Sequence, residues 1–252
     1  MLSKLPSPLP VFLALLLPSS AAWSLEFHCM AFQDSYSGIH FMSGPEADSG
    51  IEINEYGLSP KYSYNGTSPL TFFTKSTGGE GETIRTPVAQ FPFDQRYTKL
   101  LLIFYPNPQQ EGTYQIYPIP SDNQSMPPGS YRVQNQTRKQ VAMLLNGKTY
   151  QFSSGQFQVV TPPPAKRETF EIEITNPEES DSEGNSGAET KVENVTAAAR
   201  IPVHLAYQTE AQQWETFFRK KWLYRPDIRT FVFIYNIDGV IQTKNFVEFI
   251  QP

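Results

Sequence analysis

The sequence predicts an all-β protein, an antiparallel β-sandwich of immunoglobulin-like or related type that carries a long acidic loop insertion. Three observations lead there. Apolar residues recur with period two along most of the chain, and clusters of Gly, Pro, Asn and Asp interrupt them about every ten residues, the spacing of short strands joined by turns. Helix signals are confined to Ala211–Phe218, where Trp214, Thr216, Phe217 and Phe218 suit a strand equally. No self-similarity at a fixed period is present, which disfavours propellers and β-helices.

The N-terminus comes first in the chain and concerns destination. Met1 and Lys4 give a short positive region, Leu9–Leu17 an apolar run, and Pro18 breaks any helix before the small residues Ser20 and Ala22. The apolar run is roughly half the ~20 residues a bilayer requires. It therefore predicts a signal peptide over 1–22 cleaved after Ala22, and an exported protein, periplasmic or extracellular. No later run reaches membrane length, so no transmembrane segment is expected after cleavage. Residues 23–252 are long enough for one large β-sandwich region or two packed sandwiches.

The strands follow in order. Leu25–Gln33 alternates, with Leu25, Phe27, Cys29 and Ala31 on one face. Ile51 and Ile53 begin another strand. Tyr62 and Tyr64, then Asn65-Gly66 and Leu70–Phe73, have the pattern of a hairpin. Pro87 and Pro92 assign Val88–Phe93 to an edge or its limits. Residues 97–105 hold the most apolar run, Leu100–Phe104, expected in a strand buried on both faces. Tyr114, Ile116 and Pro118 share one face, and Tyr131, Val133 and Asn135 another. Val141–Leu145, Asn146-Gly147 and Lys148–Phe152 make the clearest hairpin, because Asn-Gly accepts the positive φ angles of a type I′ turn. Gly155–Val160 precedes three prolines, Pro162 to Pro164. Phe170, Ile172 and Ile174 alternate with Glu171 and Glu173, a half-exposed strand. Residues 176–190 hold five acids, no base and no aromatic, so a flexible loop is expected there. Strands resume at Ile201, Val203, Leu205 and Tyr207. Trp214–Tyr224 and Ile228–Tyr235 are expected to pair around Arg225-Pro226-Asp227, and Val247 and Phe249 belong to the last strand.

Composition excludes some functions. Lys+Arg 20 against Asp+Glu 25 leaves no basic excess, so nucleic acid is not expected as a partner. Cys29 is the single cysteine, which forbids an internal disulfide; it reads as a small buried residue. His28 follows the opposite face from Cys29, so the pair is not set for a thiolate–imidazolium dyad. His28, His40 and His204 lack the short spacing with acids of a zinc site, and the chain has no G-x-S-x-G elbow. Glu171 and Glu173 share a face as solvent-facing acids do, whereas glycosidases draw two carboxylates from different elements. Gly78, Gly79 and Gly81 lack the lysine of a phosphate loop. Asp181, Glu183 and Asn185 lack the ligand order of an EF-hand. No catalytic, metal-binding or cofactor-binding residues are assigned. Asn65, Asn123, Asn135 and Asn194 begin N-x-Ser/Thr sequons, which in a eukaryotic secretory protein would mark surface positions.

One stretch is denser in aromatics and cations than a single strand face can bury. Trp214, Phe218, Arg219, Lys221, Trp222 and Tyr224 form the candidate contact surface, set against the plainer role of an edge ribbon guarded by lysines.

Leu100–Phe104, Tyr114–Pro118, the segment Met126-Pro127-Pro128-Gly129-Ser130-Tyr131-Arg132-Val133-Gln134-Asn135 and the hairpin before Gly155 carry a resemblance. Together they are similar to short exported β-sandwich proteins of unknown function from Verrucomicrobia-like marine bacteria. The resemblance implies a Gram-negative envelope location, where the sequons would have no meaning, and implies no activity. Three readings compete: a non-enzymatic binding or structural module meeting protein or carbohydrate, a carbohydrate-active or other hydrolytic enzyme, and a subunit of an envelope assembly. A concave pocket joining Glu, Asp and His would favour the enzyme; a flat aromatic strip would favour binding.

Overall fold

The computed structural model describes residues 24–44, 47–94, 96–163, 169–175, 190–196 and 199–250, the last two short stretches before 199 in backbone only. The signal region 1–22 and all but the last residue of the acidic stretch 176–190 lie outside the described residues. Within them the chain is all-β, with no helix.

The N-terminal half contains β1 (Leu25–Ala31), β2 (Tyr36–Met42), β3 (Asp48–Ile53), β4 (Tyr62–Tyr64), β5 (Leu70–Thr77), β6 (Thr83–Phe91), β7 (Lys99–Pro106) and β8 (Tyr114–Pro120). They form two four-stranded sheets, β4-β1-β7-β8 and β3-β2-β5-β6. The predicted alternation of β1 holds: Leu25, Phe27, Cys29 and Ala31 enter one core with Leu100, Leu102 and Phe104 of β7, and with Ile39, Phe41 and Phe72 from the other sheet. Each Leu, Ile or Phe among them removed from water contributes about 1.5–3 kcal/mol.

The C-terminal half contains β9 (Tyr131–Asn135), β10 (Val141–Leu145), β11 (Lys148–Phe152), β12 (Phe157–Val160), β13 (Thr169–Thr175), β14 (Thr190–Thr196), β15 (Ala199–Gln208), β16 (Trp214–Tyr224), β17 (Ile228–Ile237) and β18 (Val240–Phe249). Its sheets are β12-β9-β17-β18 and β11-β10-β15-β16, with β13 and β14 paired as a separate ribbon. A second core joins Tyr131, Val133, Val232 and Ile234 of one sheet to Met143, Val203, Leu205 and Trp222 of the other.

Strand for strand, the second half repeats the first. The order β4-β1-β7-β8 is matched by β12-β9-β17-β18, and β3-β2-β5-β6 by β11-β10-β15-β16. Even the register shift in β5–β6 has its counterpart in β15–β16. The ribbon β13–β14 is inserted into the second copy only, so equivalent strands are unevenly spaced along the chain. Fixed-period similarity therefore could not reveal the repeat.

The third core sits between the halves. Met30, Leu101, Ile103 and Ile119 of the β4-β1-β7-β8 sheet meet Phe231, Phe233 and Phe246 of the β12-β9-β17-β18 sheet, with Met126 of the connecting segment among them. These inner sheets are thus covered on both faces, which is why β7 and β17 read as continuous apolar runs.

Three sequence expectations need correction. The sheets are not wholly antiparallel, because β1 pairs with β7, and β9 with β17, in parallel. Parallel neighbours need a long crossover, and here the connection contains the strands of the other sheet. The expected hairpin at Asn65-Gly66 is a crossing: β4 pairs with β1, whereas β5 pairs with β2 and β6. Likewise Trp214–Tyr224 does not pair with Ile228–Tyr235. β16 pairs with β15, β17 pairs with β18 and β9, and Arg225-Pro226-Asp227 carries the chain between sheets. By contrast, the Asn146-Gly147 hairpin forms as expected, with φ of 46° and 84° at its two residues. β6 lies at a sheet edge, and Cys29 is free and buried.

Candidate binding surface

β16 is the free edge of the β11-β10-β15-β16 sheet. Strand periodicity sends its residues alternately inward and outward, but a register shift intervenes. Leu205 pairs with Phe218 and Ala206 with Thr216, so Phe217 is the extra residue of a bulge. Simple alternation would group Trp214 with Phe218 and Trp222. The bulge moves Trp214 to the same face as Arg219, Lys221 and Leu223.

The six candidate contact residues are therefore divided. Trp214, Arg219 and Lys221 face outward and are exposed. Phe218, Trp222 and Tyr224 face the core. Trp222 is 8% exposed, stacked on Tyr131 with centroids 5.5 Å apart and set edge-on to Phe218 at 5.8 Å. Its assignment to a contact surface is corrected: the ring is needed to fill the gap over Tyr131. The Tyr131 hydroxyl donates to the Leu223 carbonyl at 2.9 Å, and burial pushes its phenol well above the ordinary range.

The outward face extends across the sheet. Arg200 lies opposite Leu223, and His204 stands between Leu144 and Arg219. Arg200, Arg219 and Lys221 are exposed, and so are the apolar Leu144 and Leu223. Glu215 is the one acid in these four strands. It falls on the opposite side, hydrogen-bonded to Tyr207, whose phenol it pushes up. Among the described residues no ion pair engages Arg200, Arg219 or Lys221.

Sequence reading missed a second constellation, at one end of the junction between the halves. Glu248, 3% exposed, binds Arg229 at 3.2 Å and also receives Lys99. His28 Nε2 lies 3.7 Å from the same carboxylate, while its Nδ1 sits 2.8 Å from the Ser59 carbonyl oxygen. Arg229 also donates to the Met126 carbonyl at 2.5 Å and to the Asn123 side chain. These groups border a cleft of about 710 Å³. His28 and Lys99 come from the N-terminal half, Arg229 and Glu248 from the C-terminal half, so the cluster clasps the two. Only register could have revealed it, since Arg229 and Glu248 are cross-strand partners. The cluster joins none of the sequence-assigned contact residues, and His40 and His204 lie on other sheets.

Asn135 contradicts the sequon expectation. It is 0% exposed, with its amide donating to the carbonyls of Lys139, Phe152 and Ser153.

No protein-family description matches the chain, and no curated protein matches it. One solved structure, a candidate cell adhesion protein from Bacteroides uniformis, aligns over 93% of this chain and 100% of its own, at 8% identity and a TM-score of 0.21. A similarity at that level carries neither fold nor function.

Proposed function

We propose that this chain is an exported, non-enzymatic binding module of the cell envelope, two immunoglobulin-like β-sandwiches packed through their inner sheets. Its contact surface is the outer face of the β11-β10-β15-β16 sheet, and its partner is a protein or a carbohydrate. The observation that carries this reading is that face itself: exposed, without an acid, bearing Arg200, Arg219, Lys221 and the indole of Trp214, in a chain whose net charge is −5. Concentrated positive charge on an otherwise acidic protein steers a partner to one side and sets its orientation.

The buried ion cluster supports a structural role for the junction. A hydrolase needs a carboxylate free to reach its substrate, and Glu248 is occupied by Arg229 and Lys99. The test is a glycan and envelope-protein array probed with residues 23–252. The Arg219→Glu/Lys221→Glu variant is expected to lose at least tenfold of the binding that the wild type shows, with an unchanged melting temperature. Unchanged binding would overturn the assignment.

A further inference from the structure

We infer that the cleft at the opposite end of the junction from Glu248 is a binding site for an acidic sugar, a pyranose ring that carries a carboxylate. The cleft holds about 640 Å³, within the usual range for small-molecule sites. Three chain segments meet there. Phe32 and Gln33 follow β1, Gln136–Lys139 follow β9, and Tyr235–Ile237 end β17.

Their chemistry is complementary to such a ring. Phe32 stacks on Tyr105 with centroids 5.0 Å apart and stands edge-on to Tyr235 at 5.3 Å, which gives an apolar wall for the carbon face of a sugar. Gln33 supplies an exposed amide that can donate to and accept from hydroxyls, and Asn236, whose Oδ1 accepts from the Gly239 amide at 2.9 Å, keeps its NH2 group to donate. Gln136 donates through Nε2 to the Tyr105 hydroxyl at 2.9 Å, which leaves its amide oxygen to accept from a ligand. Arg138 is the exposed cation, and its planar fork suits a carboxylate. Among the described residues no Asp or Glu lines this cleft. The other two cations nearby are used by the fold. Lys139 sits 4.1 Å over the Tyr207 ring, and Lys244, with Asp34 and Glu55 acting on it, donates to the Phe32 carbonyl at 2.9 Å.

The segment that presents these groups is held rigidly. Asn135 accepts from the Thr137 amide at 3.0 Å and the Thr137 hydroxyl at 2.8 Å, besides its three donated bonds. Thr137 Oγ1 in turn accepts from the Lys139 amide at 3.1 Å, and Ser154 donates to the Thr137 carbonyl at 2.7 Å. The Gln136 amide donates to Ile234 at 2.7 Å. A loop fixed by this many bonds presents Gln136 and Arg138 in one arrangement, which lowers the ordering cost of binding.

The site is separate from the outer sheet face, so the two assignments fail independently. Residues 23–252 would be titrated with trigalacturonate and with its neutral counterpart, galactotriose, by calorimetry. Trigalacturonate is expected to bind at least tenfold more tightly. Arg138→Gln should abolish that preference, and Gln136→Ala should weaken trigalacturonate at least tenfold. Arg219→Glu/Lys221→Glu should leave the trigalacturonate affinity within twofold. Absence of trigalacturonate binding, equal binding of the neutral sugar, or an Arg138→Gln variant that keeps the preference would each overturn the inference.

Discussion

The two outer sheets occupy matching places in the repeat and treat charge oppositely. On the β3-β2-β5-β6 sheet, Asp48 gathers the cations: Lys75 lies at 2.5 Å, Arg85 at 3.3 Å and His40 at 3.7 Å. The Arg85 guanidinium also covers the Phe73 ring at 5.6 Å. On the β11-β10-β15-β16 sheet, Arg200, Arg219 and Lys221 meet no such acid among the described residues, and Leu144, Leu223 and Trp214 stand exposed beside them. A shared strand order fixes where the cores lie, while the outward positions of each strand are free to differ. On the N-terminal face Asp48 and the exposed Glu52 balance Lys75 and Arg85. The C-terminal face leaves its cations without an ion pair among the described residues, the arrangement on which the proposed contact surface rests.

A second contrast lies at the ends of β1 and β9. Cys29 pairs in register with Leu102, and Asn135 with Ile234, each within the parallel pair of its own half. In the first half the position is filled by a small apolar side chain, whose thiol burial raises well above its ordinary range. In the second, the Asn135 amide organises the turn that borders the junction cleft.

These contrasts can be broken by substitution, and the largest effects fall on the C-terminal half. Trp222→Ala deletes a core indole and is expected to cost about 3–5 kcal/mol. Trp214→Ala, on the outward side of the same strand, should stay within about 0.5 kcal/mol. Arg229→Ala, which leaves Glu248 to Lys99 and the nearby His28 and takes the donor from the Met126 carbonyl and the Asn123 side chain, should cost about 3 kcal/mol. Urea unfolding measures all three, and a Trp214 loss equal to that of Trp222 would refute the division of β16 by its bulge.

The Cys29 and Asn135 pair gives the next effect. Asn135→Ala takes the amide donor from the buried Phe152 carbonyl and the acceptor from the Thr137 amide and should cost about 3 kcal/mol. Cys29→Ala removes one buried heavy atom, a change on the order of 1 kcal/mol. Equal losses would show that the Asn135 network is incidental.

The smallest effect concerns acid. Hydrogen bonding from Lys75 holds the Asp48 carboxyl below its ordinary value. Its stabilising contribution is therefore complete above the unfolded value near pH 4 and fades as pH falls through the lower folded value. Asp48→Asn should make thermal stability less dependent on pH from about pH 4 downward, although Asp94 and Asp227 carry shifts of the same sign. A pH profile identical to wild type would mean that the cations of this face are not held by Asp48.

Much of this was legible from residue pattern alone. Alternation located most strands and core residues, Asn146-Gly147 announced its hairpin, and the run Leu100–Phe104 announced a strand buried twice. Pairing partners were not legible, because Arg225-Pro226-Asp227 and Asn65-Gly66 turn the chain equally well within a sheet or between sheets. The contact surface was half legible. Composition drew attention to Trp214–Tyr224, but the bulge at Phe217, which decides which rings face out, depends on the partner strand. The Glu248 cluster and the Gln136–Arg138 cleft were not legible at all, since their members meet only through the packing of two inner sheets.

The central claim is that the C-terminal outer face, and not its N-terminal counterpart, meets the partner. The most direct measurement sets matched variants, Arg219→Gln/Lys221→Gln and Lys75→Gln/Arg85→Gln, on the same glycan and envelope-protein array. The first pair is expected to lose at least tenfold of wild-type binding and the second to keep it. No wild-type binding, equal losses from both faces, or a loss confined to Lys75→Gln/Arg85→Gln would contradict it.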